Sequence, residues 1–284
     1  MPPLDGFRVV NVAVNLPAGV AAARLAELGA AVTKVEPPDG DPMQAAAAEL
    51  YGRLTEGHAV VRLDLKDEAD RERLGELLAD ADLLLTSSRP SALARLGLDR
   101  LELERRHPRL VQIAIVGHAA PDQERSGHDL TYVARYGLVS PPALPQTLVA
   151  DLGGAERAVT AAVALLLARE RGGEERYAEV ALADGAEAFA LPWSHGLTAA
   201  GGVLGGGLPF YRLYEAKGGW VAVAALEPRF RERLVRELGV EEPTAEAFAS
   251  AFADRSPAEW ERWAEEHDLP IAAVRDAAGN NDAE

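Results

Sequence analysis

The stretch Ser126-Gly127-His128-Asp129 sets an imidazole beside a carboxylate, just where Leu130, Val133 and Ala134 begin to mark one face of an amphipathic helix. Backbone N–H groups at a helix start lack partners. The pair therefore reads in two ways: as a cap, or as a base beside donors that a ligand would use. Asp151 has the same double meaning. It follows an apolar run in "LVADLGGAERAV" and precedes a glycine pair and a long helix. It is either that helix's N-cap or a carboxylate at the mouth of an α/β sheet, where loops after strands bear ligand sites. Glu227, in "ALEPRF", stands between a strand and a helix, where an acid in the first turn is favoured by the helix dipole.

Other chemistries find no support in the sequence. There is no cysteine, hence no thiolate nucleophile, thiolate metal site or disulfide. The histidines at 58, 107, 118, 128, 195 and 267 form no H-x-x-x-H pattern or His/Asp cluster, so no metal site is expected. G-x-S-x-G and a Walker loop are both missing, and Ser126, His128 and Asp129 are too close in sequence to be presumed a triad. With 45 acidic and 29 basic residues the net charge is −16, which argues against nucleic-acid binding. An anionic small ligand would need a local basic pocket, and lysine occurs only at 34, 66 and 217. No apolar run is long enough to span a bilayer, and the N-terminus has no basic region ahead of one, so a soluble, cytoplasmic protein without a membrane partner is expected.

The elements that must position these residues alternate. Strand-like runs cover 8–15, 31–36, 59–65, 81–87, 110–117 and 177–182, and helical patterns cover 18–28, 67–80, 90–97 and 153–173. Buried strands alternating with helices predict an α/β fold with a doubly wound, mainly parallel sheet. The first strand–helix turn, "NLPAGV", lacks the G-x-G-x-x-G of a dinucleotide site. The glycine-rich "LTAAGGVLGGGLP" marks a linker over 197–209 between a large domain, 1–196, and a smaller α+β domain, 210–284. In the latter, Lys217-Gly218-Gly219 signals a hairpin, "PRFRERLVRELG" a helix, and "SPAEW" a capping box.

Together these pieces resemble the family III CoA-transferases, and within them the α-methylacyl-CoA racemases. "LAELGAAVTKVEPPDGDP" is similar to the family's segment ending in K-V-E-x-P-x-G-D-P, "VVRLDLK" to V-x-L-D-L-K, "RPSALARLGL" to R-P-G-V-x-x-R-L-G-L, and "HPRLVQIAIVG" to N-P-R-L-I-x-x-x-I-S-G. "GHDLTYVARYG", "LVADLGG" and "GLPFYRLYEAKGGWVAVAALEPRF" follow in the racemase order and spacing. Departures occur: "TEGHAV" replaces R-G-K-R-S, "VGHAAPDQ" replaces S-G-F-G-Q, and Ser91 replaces the glycine of R-P-G.

The resemblance implies a Rossmann-like large domain and racemisation of 2-methylacyl-CoA thioesters by 1,1-proton transfer. In that reading His128 is the base, Asp151 the acid on the opposite face, and Glu227 the partner of His128. The backbone N–H of Asp129 serves the enolate oxygen. Lys34, Lys66, Arg89, Arg95 and Tyr132 hold CoA, which enters with the substrate and is the only cofactor expected. Two alternatives stay open: a CoA-transferase with Asp151 as nucleophile, and a non-catalytic acyl-CoA-binding relative. A homodimer with the site between subunits is also implied. So is a C-terminal return to the large domain, which the sequence ending in "AAGNNDAE" is expected to lack.

Overall fold

The computed structural model describes residues 1–275, and the final "AAGNNDAE" lies outside them. The chain divides into two compact units, Met1–Phe189 and a second that begins at Ala190.

The first unit runs β1 (Arg8–Asn11), α1 (Leu16–Glu27), β2 (Ala31–Glu36), α2 (Pro42–Ala46), α3 (Ala48–Leu54), β3 (Ala59–Arg62), α4 (Glu68–Ala79), β4 (Leu83–Thr86), α5 (Pro90–Arg95), α6 (Arg100–Arg106), β5 (Val111–Val116), α7 (Asp129–Arg135), α8 (Val149–Glu170) and β6 (Tyr177–Ala181). Helix α9 (Leu182–Ser194) follows. The six strands form one sheet in the order β3-β2-β1-β4-β5-β6, and every neighbouring pair is parallel. This is the doubly wound order, which reverses between β1 and β4.

Burial on both faces explains why the strands read as unbroken apolar runs. Leu83 and Leu85 of β4 join Val9, Val111 and Ile113 on the face covered by α1 and α8, while Leu84 joins Val10, Val35, Leu74 and Leu93 on the other. Helix α1 buries Ala18, Ala21, Ala22 and Leu25, a helical stripe of mostly small residues, against the alanines of α8. Its start is set by Asn15, whose side chain accepts from the N–H of Ala18 at 3.3 Å, with proline in the first turn.

The second unit holds β7 (Tyr211–Ala216), β8 (Gly219–Ala224), α10 (Pro228–Leu238), α11 (Ala245–Phe252), α12 (Pro257–Glu266) and β9 (Ile271–Ala273). Its three strands are antiparallel in the order β7-β8-β9. The β7–β8 turn needs Gly218, whose φ is +83°. The core is aromatic: Phe252 meets Trp260 edge-on at 4.9 Å, and the Trp260 indole N–H donates to the Phe252 carbonyl at 2.9 Å. Ser256 and Glu259 close the capping box of α12.

The first strand is four residues long rather than eight, and 12–15 form the turn into α1. The long helix begins at Val149, not at 153, so Asp151 lies within its first turn and is not the N-cap. That position belongs to Leu148, which has no capping side chain.

Candidate active site

A cleft of about 220 Å³ opens beyond the carboxyl ends of β1, β4 and β5, where the strand order reverses. It is lined by Asn15 after β1, Arg89 after β4, Gly117 after β5, Gln123 and residues 125–128, Tyr132 of α7 and Asp151 of α8. In an open parallel sheet this crevice is the place for a ligand.

His128 is the N-cap residue of α7, and its ring is exposed. Thr131 holds its backbone: the hydroxyl accepts from the His128 N–H at 3.1 Å and donates to the His128 carbonyl at 2.7 Å. Asp129 has a different task. It is 4% exposed, and one carboxylate oxygen accepts from the N–H groups of Ala150 at 2.7 Å and Asp151 at 3.0 Å. Asp129 is therefore the missing cap of α8, supplied from another helix. Its own N–H donates to no group among the described residues.

That arrangement acts on Asp151. Burial, and then the charge of Asp129, push its carboxyl up to about 6, while His128 pulls the other way. An acid with such a pKa exists in both protonation states near neutrality, as acid/base work requires. Tyr132 supplies the wall. It is 2% exposed, and its ring presses so close to Gly127 that a Cβ there would lie 2.4 Å from it. Burial and the charges of Asp151 and Asp129 raise the Tyr132 phenol above its ordinary range.

The cleft brings together four of the expected residues: His128, Asp151, Tyr132 and Arg89. Arg89 is exposed and donates to Ser126 Oγ at 3.1 Å. The others lie elsewhere. Lys34, 3% exposed, is buried within β2 with its ammonium 2.6 Å from Asp41 Oδ2, so a phosphate contact would require that pair to open. Lys66 is exposed after β3, and Arg95 lines a separate groove between α4, α5 and α6. Glu227 belongs to the second unit, at the N-cap position of α10, where its side chain caps nothing. The sequence reading passed over Asn15, Gln123 and Arg125, which also line the cleft. The helix-start signal at Asn15-Leu16-Pro17 would have pointed to the first of them.

Among the described residues no three His, Asp or Glu side chains are grouped to hold a metal ion, and no helix is long and apolar enough to cross a membrane. The chain is 32% identical over 201 residues to the "Probable fatty acyl-CoA transferase Rv3272" of Mycobacterium tuberculosis, covering 64% of this chain and 51% of that protein. It is 28% identical over 288 residues to the human "Alpha-methylacyl-CoA racemase", covering 90% of this chain and 74% of that one. The chain thus spans about half of the first relative and about three quarters of the second. The crystal structure of the hypothetical protein Rv3272 matches at a TM-score of 0.82 and 25% identity, covering 98% of this chain and 86% of that chain. A family model covers residues 4–283, and by that match the chain belongs to CoA-transferase family III.

Proposed function

We propose that the chain acts on acyl-CoA thioesters through Asp151, and that His128 and Asp151 exchange the α-proton of a 2-methylacyl group. One observation carries this: a carboxyl pushed up to about 6 shares the cleft with the exposed imidazole of His128.

A proton next to a thioester carbonyl is weakly acidic, so its removal needs a base and a stabilised oxygen. His128 takes the proton. The N–H of Asp129 donates to the enolate oxygen. Protonated Asp151 returns a proton from the opposite face and inverts the carbon. Arg89, Arg95 and Lys66 meet the CoA phosphates, and Tyr132 borders the thioester arm. In the homodimer that the family likeness suggests, Glu227 pairs with His128 of the other subunit and fixes its tautomer.

The second reading is CoA transfer, and the names of the relatives lean towards it. Besides the Mycobacterium protein they include a "Cinnamoyl-CoA:phenyllactate CoA-transferase" of Clostridium sporogenes. Here an Asp151 oxygen bonds to the thioester carbonyl carbon, the C–S bond breaks, and the electron pair leaves with the CoA sulfur.

One experiment separates the two. The protein is incubated with a 2-methylacyl-CoA in deuterated water, with hydroxylamine in a parallel sample. Racemisation predicts deuterium at the α-carbon without an acceptor acid and an unmodified Asp151. Transfer predicts an aspartyl hydroxamate at Asp151, and its detection by mass spectrometry overturns the first reading.

A further inference from the structure

Tyr132 is 2% exposed, yet its hydroxyl makes no hydrogen bond among the described residues. A buried phenol ordinarily finds a partner. The fold supplies one to Tyr214, which is 3% exposed and donates to the Pro209 carbonyl at 2.6 Å, and one to Tyr51, which donates to Glu36. At Tyr132 the partner is missing.

The position of the oxygen shows where a partner would stand. Tyr132 leans back along α7 towards its start, as helix side chains do. Its hydroxyl lies between Gly117, after β5, and Gly127, just ahead of His128. A Cβ on Gly127 would be 2.6 Å from that oxygen, and a Cβ on Gly117 would meet it before any other atom. Both glycines line the cleft with Tyr132, His128 and Asp151. His118 packs edge-on against the phenol ring, with centroids 5.2 Å apart at 86°. A fixed ring thus carries a free O–H at a glycine-lined wall of the cleft that holds the acid/base pair. Burial, then the charges of Asp151 and Asp129, raise the phenol above its ordinary range, so it keeps its proton near neutrality and remains a donor.

We propose that the Tyr132 hydroxyl is a catalytic donor to the thioester oxygen, placed to meet that oxygen as it gains negative charge. The inference rests on the acyl-CoA reading, but not on the choice between its two forms. In racemisation the electron pair of the broken C–H bond passes into the enolate, whose oxygen takes the charge. In transfer an Asp151 oxygen adds to the carbonyl carbon, and the C=O π pair moves onto the oxygen. The same atom is the acceptor in both, and Tyr132 is a second donor to it beside the Asp129 N–H. The phenol keeps its proton throughout, so no bond of Tyr132 is made or broken. A developing anion attracts the donor more than a neutral carbonyl does, so the hydroxyl acts on rate more than on binding. This separates the role from that of holding CoA.

Tyr132→Phe removes the hydroxyl and keeps the ring. Deuterium entry at the α-carbon of a 2-methylacyl-CoA, and hydroxylamine trapping on Asp151, are timed for the full chain of parent and variant. Whichever reaction the parent performs should be about 100-fold slower in the variant, through kcat. Calorimetric titration should show unchanged affinity for a CoA thioether, in which CH2 replaces the carbonyl, because the phenol has no oxygen to meet there. The urea midpoint should not fall, since the hydroxyl bonds to nothing in the fold. An unchanged rate overturns the inference. Weaker thioether binding does so too, because Tyr132 then holds the CoA arm, and a rate loss that follows a lower urea midpoint makes the hydroxyl structural. In each of these cases the parent's own reaction leaves the acyl-CoA reading standing. If the parent performs neither reaction, that reading falls and this inference falls with it.

Discussion

Replacing Asp151 with Asn should make the first unit more stable at neutral pH. The folded carboxyl titrates at about 6, against 3.8 in the ordinary case, so the folded chain holds that proton longer than the unfolded chain does. Between those two values the unfolded state binds fewer protons, and stability falls as pH rises. Below about 4 both states are protonated and the penalty vanishes; above about 6 it is complete. At 1.36 kcal/mol per pH unit the interval is worth at most about 3 kcal/mol. The half-buried carboxyl is partly screened by solvent in the cleft, which leaves about 1–2 kcal/mol. Asparagine keeps the shape and removes the charge. Urea unfolding should be followed by far-UV circular dichroism, since Trp220, Trp260 and Trp263 lie in the second unit and Trp193 on α9, a helix that runs from the first unit into the second. The variant should gain about 1–2 kcal/mol at pH 7.5 and nothing at pH 4. Equal stability at pH 7.5, or a gain that persists at pH 4, would refute the argument that burial strains this carboxylate. The same substitution should nearly abolish turnover, the exchange of stability for activity that a strained site entails.

His128→Ala should slow α-proton exchange by about 100-fold or more with little change in the urea midpoint, because the imidazole is exposed; a destabilised variant with intact exchange would make it a structural residue. Gly127→Ala places a methyl 2.4 Å from the Tyr132 ring. It should cost about 1–3 kcal/mol in urea unfolding and reduce exchange together with stability, and a fully stable, active variant would contradict the tight contact. Asp41→Asn leaves the buried ammonium of Lys34 without its counter-charge and should cost about 3–5 kcal/mol. Adding Lys34→Met should recover most of that loss, and failure to do so would mean that the pair is not the source.

The parallel sheet was legible because its strands are buried on both faces. In β5 all six residues of "VQIAIV" are buried, and no other arrangement of alternating strands and helices accounts for such a run. The start of α8 was not legible, for an equally physical reason. Its N-terminal donors are satisfied by Asp129 from α7, and a cap supplied across the fold leaves no mark at Leu148. That error of phase made Asp151 look like a cap. Helix α11 was also missed. Phe248 and Phe252 are one turn apart and both wholly buried, but the aromatic partners that fix them, Tyr214 and Trp260, come from β7 and α12. The site was legible only in part. The "HD" dipeptide stood out locally, whereas its meeting with Asp151 follows from the sheet order and was expected from the family likeness alone.

The Lys34–Asp41 pair has a practical consequence for chemical labelling. The chain carries three lysines; Lys66 and Lys217 are exposed, whereas Lys34 is sealed in the first unit beneath Asp41. An amine-reactive reagent therefore adds two side-chain tags to the folded chain, in addition to any at the terminal amine. A third tag arrives only when β2 opens. The time course of that third mass increment is a clock for one corner of the sheet, read from intact protein without altering a residue.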